Sequence, residues 1–590
     1  MIKIVQIVVT LAAVSVLAAC KISVAPDDGE AAPTAPEVTT TPPPEPTPEP
    51  TPEPAPEPAP TPLPLPDDQD AVKFFNQASF GGSEEDIAEL QSIGMEAWIL
   101  DQIDQPIVSV VDRIEAHFLE KSVSTATFSE LFWERAVHGD DQLRQRVAYA
   151  LSQIVVVSLE DSTIAISGVR RSFSTYLDIL QNQALGNYCT LIKDVSLNPV
   201  MGIYLTHLGN RREDLVTGFV PDENYAREVM QLFTIGLENL NSDGTGQGTE
   251  TYTIDDVQGL AAVFTGLSWA DTNFGNPMIF DDNRYLPMES FTVQHEDGPK
   301  SFLGTTIDLG TDALISVDAA LDYLLAHPNV APFVSKQLIQ KLVTSNPSPA
   351  YVERVASAFE AGLFEMPGGQ TVGTGARCDM AATVTAILLD EEARGVPTNN
   401  NHGKLRTPLL RLAHYLRAFR AEQAVTTTGP LPTALDLTSL NAMNRFGMNA
   451  YFSPSVFNDF RPGYVAPNTE SAAAGLVAPE FQIVTSNTLI TYINTMESFI
   501  DGPSLDGSNA NVANLDFSSI DTDVDNVETY VSRLDRLLTG GTLSDSNRQA
   551  IIDSVSLLEI AGSDQDEDRR ERREVALMMM VTSPEFMVQR

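Results

Sequence analysis

Pro221-Asp222-Glu223-Asn224-Tyr225-Ala226-Arg227-Glu228-Val229-Met230-Gln231-Leu232-Phe233-Thr234-Ile235-Gly236-Leu237 carries the pattern of one amphipathic helix. Asp222 follows a proline and is placed to accept from the first free backbone N–H groups, and Gly236 stands where a helix would stop. At about 100° per residue, Tyr225, Ala226, Val229, Met230, Leu232, Phe233 and Leu237 share one arc. Glu223, Asn224, Arg227, Glu228, Gln231 and Thr234 fill the other. That arc holds acids, amides and an arginine but no lysine, so it reads as a face meeting other polar groups. The stretch is expected to be the central helix of the fold, bracing the loop after Trp269 or walling a site.

Outward from it the chain keeps the same period. Ser83 caps a helix with Asp86 three residues on, Thr253 caps 256–264, and Gly186, Pro199 and Gly209 punctuate a helical series from 173 to 208. Further helical patterns cover 71–80, 128–137, 142–157, 317–326, 331–342, 350–359, 380–388, 404–420, 483–499, 527–538, 546–561 and 569–581. The stretches 268–311 and 443–479 lose the period and gain Gly, Pro, Asn and Asp, so they read as irregular excursions. Residues 67–590 are therefore expected to form one large, mainly α domain.

The first 66 residues are of another kind. A short basic start, an apolar run from Ile4 to Leu17 and then Leu17-Ala18-Ala19-Cys20 resemble a bacterial lipoprotein signal. Residues 1–19 would be removed and Cys20 acylated, and Lys21 after it resembles the pattern that continues to the outer membrane. Residues 20–66 form a Pro/Glu-rich linker with Glu45, Glu49, Glu53 and Glu57 at every fourth place. Proline removes backbone donors and fixes φ, so polyproline II is expected, a disordered tether reaching on the order of 100 Å. The net charge of −44 repels phosphate backbones and argues against nucleic acid as a partner.

Several stretches together carry a family likeness: Asp141-Gln142-Leu143-Arg144-Gln145-Arg146-Val147-Ala148-Tyr149-Ala150-Leu151-Ser152-Gln153, the opening stretch, and Phe264-Thr265-Gly266. His327-Pro328-Asn329-Val330-Ala331-Pro332-Phe333, Leu342-Val343-Thr344-Ser345-Asn346-Pro347-Ser348-Pro349, Ser453-Pro454-Ser455-Val456-Phe457-Asn458 and Thr582-Ser583-Pro584-Glu585-Phe586 complete it. The sequence resembles the bacterial family called domain of unknown function 1800. The resemblance implies export, and a possible exported partner of the domain of unknown function 1501 family, which resembles sulfatases. It implies no activity. Cys189 stands where the family pattern usually has Arg and Cys378 where it has Gly, which favours a disulfide peculiar to this chain over two separate thiols.

Two functional readings follow. One is a binding or assembly factor of the envelope. The other is an extracellular polymer hydrolase with Glu223, Glu228 and His295 as acid–base groups and a metal ion as a candidate cofactor. On one helix Glu223 and Glu228 diverge by about 140°, so Glu223 is better matched to Arg227 as an i,i+4 pair. His207 and His327 would have to converge on His295 to make a histidine site. Asn224, Arg227, Arg461 and Tyr464, near Asn458, are candidate binding residues. Asn239, Asn241, Asp243, Thr245 and Glu250, with Gly244 between them, fit a calcium-loop spacing between two expected helices, so calcium is a candidate cofactor. The run Arg569-Arg570-Glu571-Arg572-Arg573 after four acids reads as a salt-bridged helix start.

Overall fold

The computed structural model describes residues 61–118, 123–165, 167–274, 283–396, 401–422, 446–501, 513–561 and 563–590. Residues 1–60, with the expected signal, Cys20 and most of the expected tether, lie outside them, as does 275–282 within the first excursion. The domain is mainly α, with five two-stranded sheets set between helices among the described residues. No helix among them is long and apolar enough to cross a membrane.

Local chemistry sets many of the helix starts. Ser83 and Asp86 form a reciprocal capping box at Glu84–Ile93, and Thr253 and Asp256 do the same at Ile254–Val263. Asn187 caps Tyr188–Ser196. The arginines of Gln565–Val581 pair with its own acidic start, Arg569 with Asp566 and Arg570 with Glu567, and with the preceding 521–525 segment, Arg569 with Asp525 and Arg573 with Asp521.

The most enclosed helix is Met380–Leu389, all ten residues of which are buried. It packs against Pro349–Ala361, which in turn packs on Val330–Leu342. Gln142–Ser152 and Pro408–Ala418 are also buried nearly all round. The opening stretch is thus not the central helix. An amphipathic arc marks a half-buried helix, whereas a run such as Met380-Ala381-Ala382-Thr383-Val384, apolar or small on all sides, marks a fully enclosed one.

The ends of the domain meet. Asp68–Ala78 packs on Val527–Thr539, and the last strand, Val588–Gln589, pairs antiparallel with Lys404–Leu405. Lys404 and Leu405, expected to open a helix, are therefore strand, and the helix begins at Pro408 behind its cap Thr407. In the first excursion, Leu267–Ser268 pairs with Glu289–Ser290 and Lys300–Phe302 with Thr305–Ile307. The latter hairpin lies so close to helix Ile254–Val263 that a Cβ on Gly259 would stand 1.7 Å from the Ser301 carbonyl oxygen. Gly259→Ala is expected to cost about 2–3 kcal/mol, read as a lowered denaturation midpoint, because backbone rather than a side chain must move.

Candidate functional site

The opening stretch forms α-helix only over Asn224–Glu228 and then widens into a π-helix over Val229–Thr234. The Asp222 carboxylate accepts from Asn224 N at 2.9 Å, and Gly236, at φ 72°, ends the element. The wider turn shifts the arcs: Ile235 N bonds back to Met230 O, and Thr234 is drawn inside, its hydroxyl donating to Val229 O at 2.5 Å. Thr234 and Glu228 are buried, while Leu237 is exposed. A 3.6-residue period cannot foresee this, since each π turn adds a residue.

Glu223 and Arg227 make the expected ion pair at 3.0 Å, and Asn224 is exposed beside them. Glu228 lies among Arg227, Tyr204 and Tyr252. Burial pushes its carboxyl above the ordinary range, Arg227 opposing, and its Oε2 is buried with no hydrogen-bond partner among the described residues. A raised acid contributes stability below its unfolded pKa and loses it as pH climbs through the folded one. Glu228→Gln is therefore expected to stabilise the protein by about 1 kcal/mol at pH 8, with the gain vanishing near pH 4 in urea titrations.

His295 is spent on the fold. Its Nδ1–H donates to Thr265 O at 2.8 Å, the Ser316 hydroxyl lies 3.3 Å from Nε2, and the ring is 2% exposed. Burial holds its pKa below the usual histidine range. His207 is likewise enclosed, donating to Ser196 O and stacked on Tyr225 with ring centres 3.9 Å apart. His327 accepts from Asn329 N. Among the described residues no three His, Cys, Asp or Glu side chains are grouped to hold a metal ion, so the histidines do not converge.

The calcium-spaced residues are not a loop between helices. They form a β-hairpin, Glu238–Leu240 with Gly246–Glu250. Asn239 donates to Thr249 Oγ1 and Glu250 O, Asn241 donates to Thr245 Oγ1, and Asp243 accepts from the amide and hydroxyl of Thr245. Hairpin bonds thus engage the Asn239, Asn241, Asp243 and Thr245 side chains, because two-residue alternation across strands won over the loop. Cys189 and Cys378 are joined in a disulfide with Cα atoms 5.7 Å apart. Arg461 is exposed, its guanidinium 5.5 Å from the Phe457 ring centre, and Tyr464 is half-buried on the same loop.

The residues that do come together were not singled out by pattern. Arg146, Lys341, Lys404 and Glu480 are buried in one cluster with Asp459 at its edge. Lys341 sits in the last turn of Val330–Leu342, Arg146 mid-way along Gln142–Ser152, and Glu480 on the 3₁₀ turn Pro479–Ile483. Lys404 pairs with Glu480 at 3.0 Å and donates to Gln340 O and Lys341 O. Arg146 Nη2 donates to Lys341 O at 2.9 Å. Next to them, Asn458 Nδ2 is buried with no hydrogen-bond partner among the described residues. The interior of a strongly acidic protein is locally basic here. The one sequence signal was indirect: stretches 141–153, 342–349 and 453–458, far apart in the chain, all reach this cluster or border it.

A family model described as a protein of unknown function (DUF1800) matches residues 73–588. The chain belongs to the DUF1800 family. No curated protein and no solved structure matches it. The DUF1800 match covers every element of the buried cluster, so cluster and domain are one unit.

Proposed function

We propose that this DUF1800 protein is a lipid-anchored outer-membrane factor that binds or assembles a partner in the cell envelope. Its lipobox at Cys20, its long charged tether and its acidic exterior support that reading. The observation that carries it over the hydrolase reading is the state of His295, whose two ring nitrogens are engaged by Thr265 and Ser316. A general base must have a free nitrogen within reach of a substrate proton. The hydrolase reading keeps one favourable feature, the raised carboxyl of Glu228, whose Oε2 has no hydrogen-bond partner among the described residues.

An exported protein of the domain of unknown function 1501 family is the proposed partner. The test mixes that protein, from the same bacterium, with residues 67–590 and follows mass by light scattering. A stoichiometric complex at micromolar concentration supports the reading, and two unchanged species overturn the partner. Release of fragments from an envelope polymer by the wild type but not by Glu228→Gln would replace it with hydrolysis.

A further inference from the structure

The disulfide joins two sulfurs in unequal surroundings. Cys189 is half-buried with the exposed Thr190 beside it, whereas Cys378 is 0% exposed. Cys378 lies against Arg377, whose Nη1–H donates to Cys378 Sγ at 3.6 Å. Glu360 holds that guanidinium in place, accepting from Nε at 2.6 Å and from Nη2 at 2.7 Å, and the Phe359 ring centre is 5.6 Å away. Glu360 offsets part of the charge but leaves the N–H aimed at the sulfur. Cys189 stands in the first turn of helix Tyr188–Ser196, where the helix dipole also suits a thiolate.

Exchange of a disulfide needs a thiolate to reach one sulfur while the other leaves with the electron pair. An enclosed sulfur is hard to reach, and a sulfur that accepts a cationic N–H is the better leaving group. Both conditions choose the same direction here, attack at Cys189 and departure of Cys378. What the bond staples is a seam between two helices. Tyr188 N donates to Cys378 O at 2.9 Å, Met380 N donates to Gly186 O at 2.8 Å, and Met380 opens the fully enclosed helix Met380–Leu389. The fold sets Cys378 at φ 72°, a conformation disfavoured for an L residue, so the seam is least secure at that point once the bond is open.

We propose that Cys189–Cys378 is an exchangeable clasp, opened by a dithiol that attacks Cys189, with Arg377 stabilising the Cys378 thiolate that departs. One thiolate of the dithiol bonds to Cys189 Sγ, the Cys189–Cys378 bond breaks, and its electron pair leaves on Cys378 Sγ beside Arg377. The second thiolate of the dithiol then bonds to the first sulfur of the same dithiol, and Cys189 Sγ leaves as a thiolate. The dithiol is oxidised to a disulfide by two electrons and the protein is reduced by the same two. The two protons given up by the dithiol are matched by two taken up at the cysteines. Opening loosens the seam between the Tyr188–Ser196 and Met380–Leu389 helices. The clasp does not depend on the exported partner proposed above.

The test treats the full chain, purified with the bond closed, with reduced glutathione in native buffer, quenches with acid, and unfolds the protein in N-ethylmaleimide. Mass mapping is expected to find glutathione on Cys189 and maleimide on Cys378, in about tenfold excess over the reverse. With dithiothreitol as the opening reagent, Arg377→Met should slow opening about three- to tenfold at an unchanged melting temperature of the oxidised protein. Arg377→Lys, which keeps a cation beside the sulfur, should recover most of that rate. Hydrogen exchange at the Tyr188 and Met380 amides should quicken about tenfold on opening, while that of Ile87 in the distant helix Glu84–Ile93 stays the same. Opening only in urea, or glutathione shared equally between the two cysteines, overturns the exchange site. An unchanged opening rate in Arg377→Met overturns the role of Arg377, and unchanged exchange at Tyr188 and Met380 overturns the clasp. Because the wild-type protein decides the site and the clasp, a variant that fails to fold does not leave the proposal untested.

Discussion

Replacing Cys189 and Cys378 together is expected to lower the unfolding free energy by about 3–5 kcal/mol, measured by urea titration with and without reductant. The two cysteines are 189 residues apart, so the bond removes a long loop from the unfolded ensemble. It also holds a seam that backbone bonds outline on both sides: Tyr188 N to Cys378 O at 2.9 Å, Met380 N to Gly186 O at 2.8 Å, and a bridge between Asn187 and Asp379. Met380 opens the fully enclosed helix, so the seam anchors the centre of the core to the Tyr188–Ser196 helix. Cys378 has φ 72°, a left-handed conformation that costs an L residue about 1–2 kcal/mol. In a Cys189→Ala background, Cys378→Gly should therefore be more stable than Cys378→Ala by about 1 kcal/mol. Equal stability of oxidised and reduced wild type would show that the seam holds without the bond.

Glu480→Leu is expected to be as damaging, at about 3–5 kcal/mol, because Lys404 would remain buried without its acid. Lys404 is 5% and Glu480 2% exposed. Two backbone carbonyls also accept from Lys404, but neither carries the charge that offsets an ammonium. The double change Lys404→Met with Glu480→Leu should lose much less, since both desolvation costs disappear together. The cycle is read from denaturation midpoints of the four proteins. If the double variant is no better than Glu480→Leu alone, the pair is not the element that Glu480 serves.

Much of the architecture was legible in the chain because helices announce themselves locally. Ser83 with Asp86 and Thr253 with Asp256 lie three residues apart, and their capping bonds form within one turn. The arginines after Asp564 pair with acids placed as helix-start charge predicts. The ion pair of Glu223 with Arg227 needed only i,i+4 geometry. The failures have equally local causes. The π turn at Val229–Thr234 broke the period on which the arcs of the opening stretch were drawn, and a hairpin used the spacing that a calcium loop would share.

What the sequence alone determined is the helical domain and its family, because each depends on residues a few positions apart or on motifs read in order. The tertiary structure alone decided the disulfide, the sealing of His295 and the meeting of Arg146, Lys341, Lys404, Asp459 and Glu480. A lysine in the last turn of a helix looks like any cation placed to suit the helix dipole. Only when helices, a strand and a loop from distant parts of the chain exclude water from around it does its charge become costly, and that cost is what makes it chemically distinct.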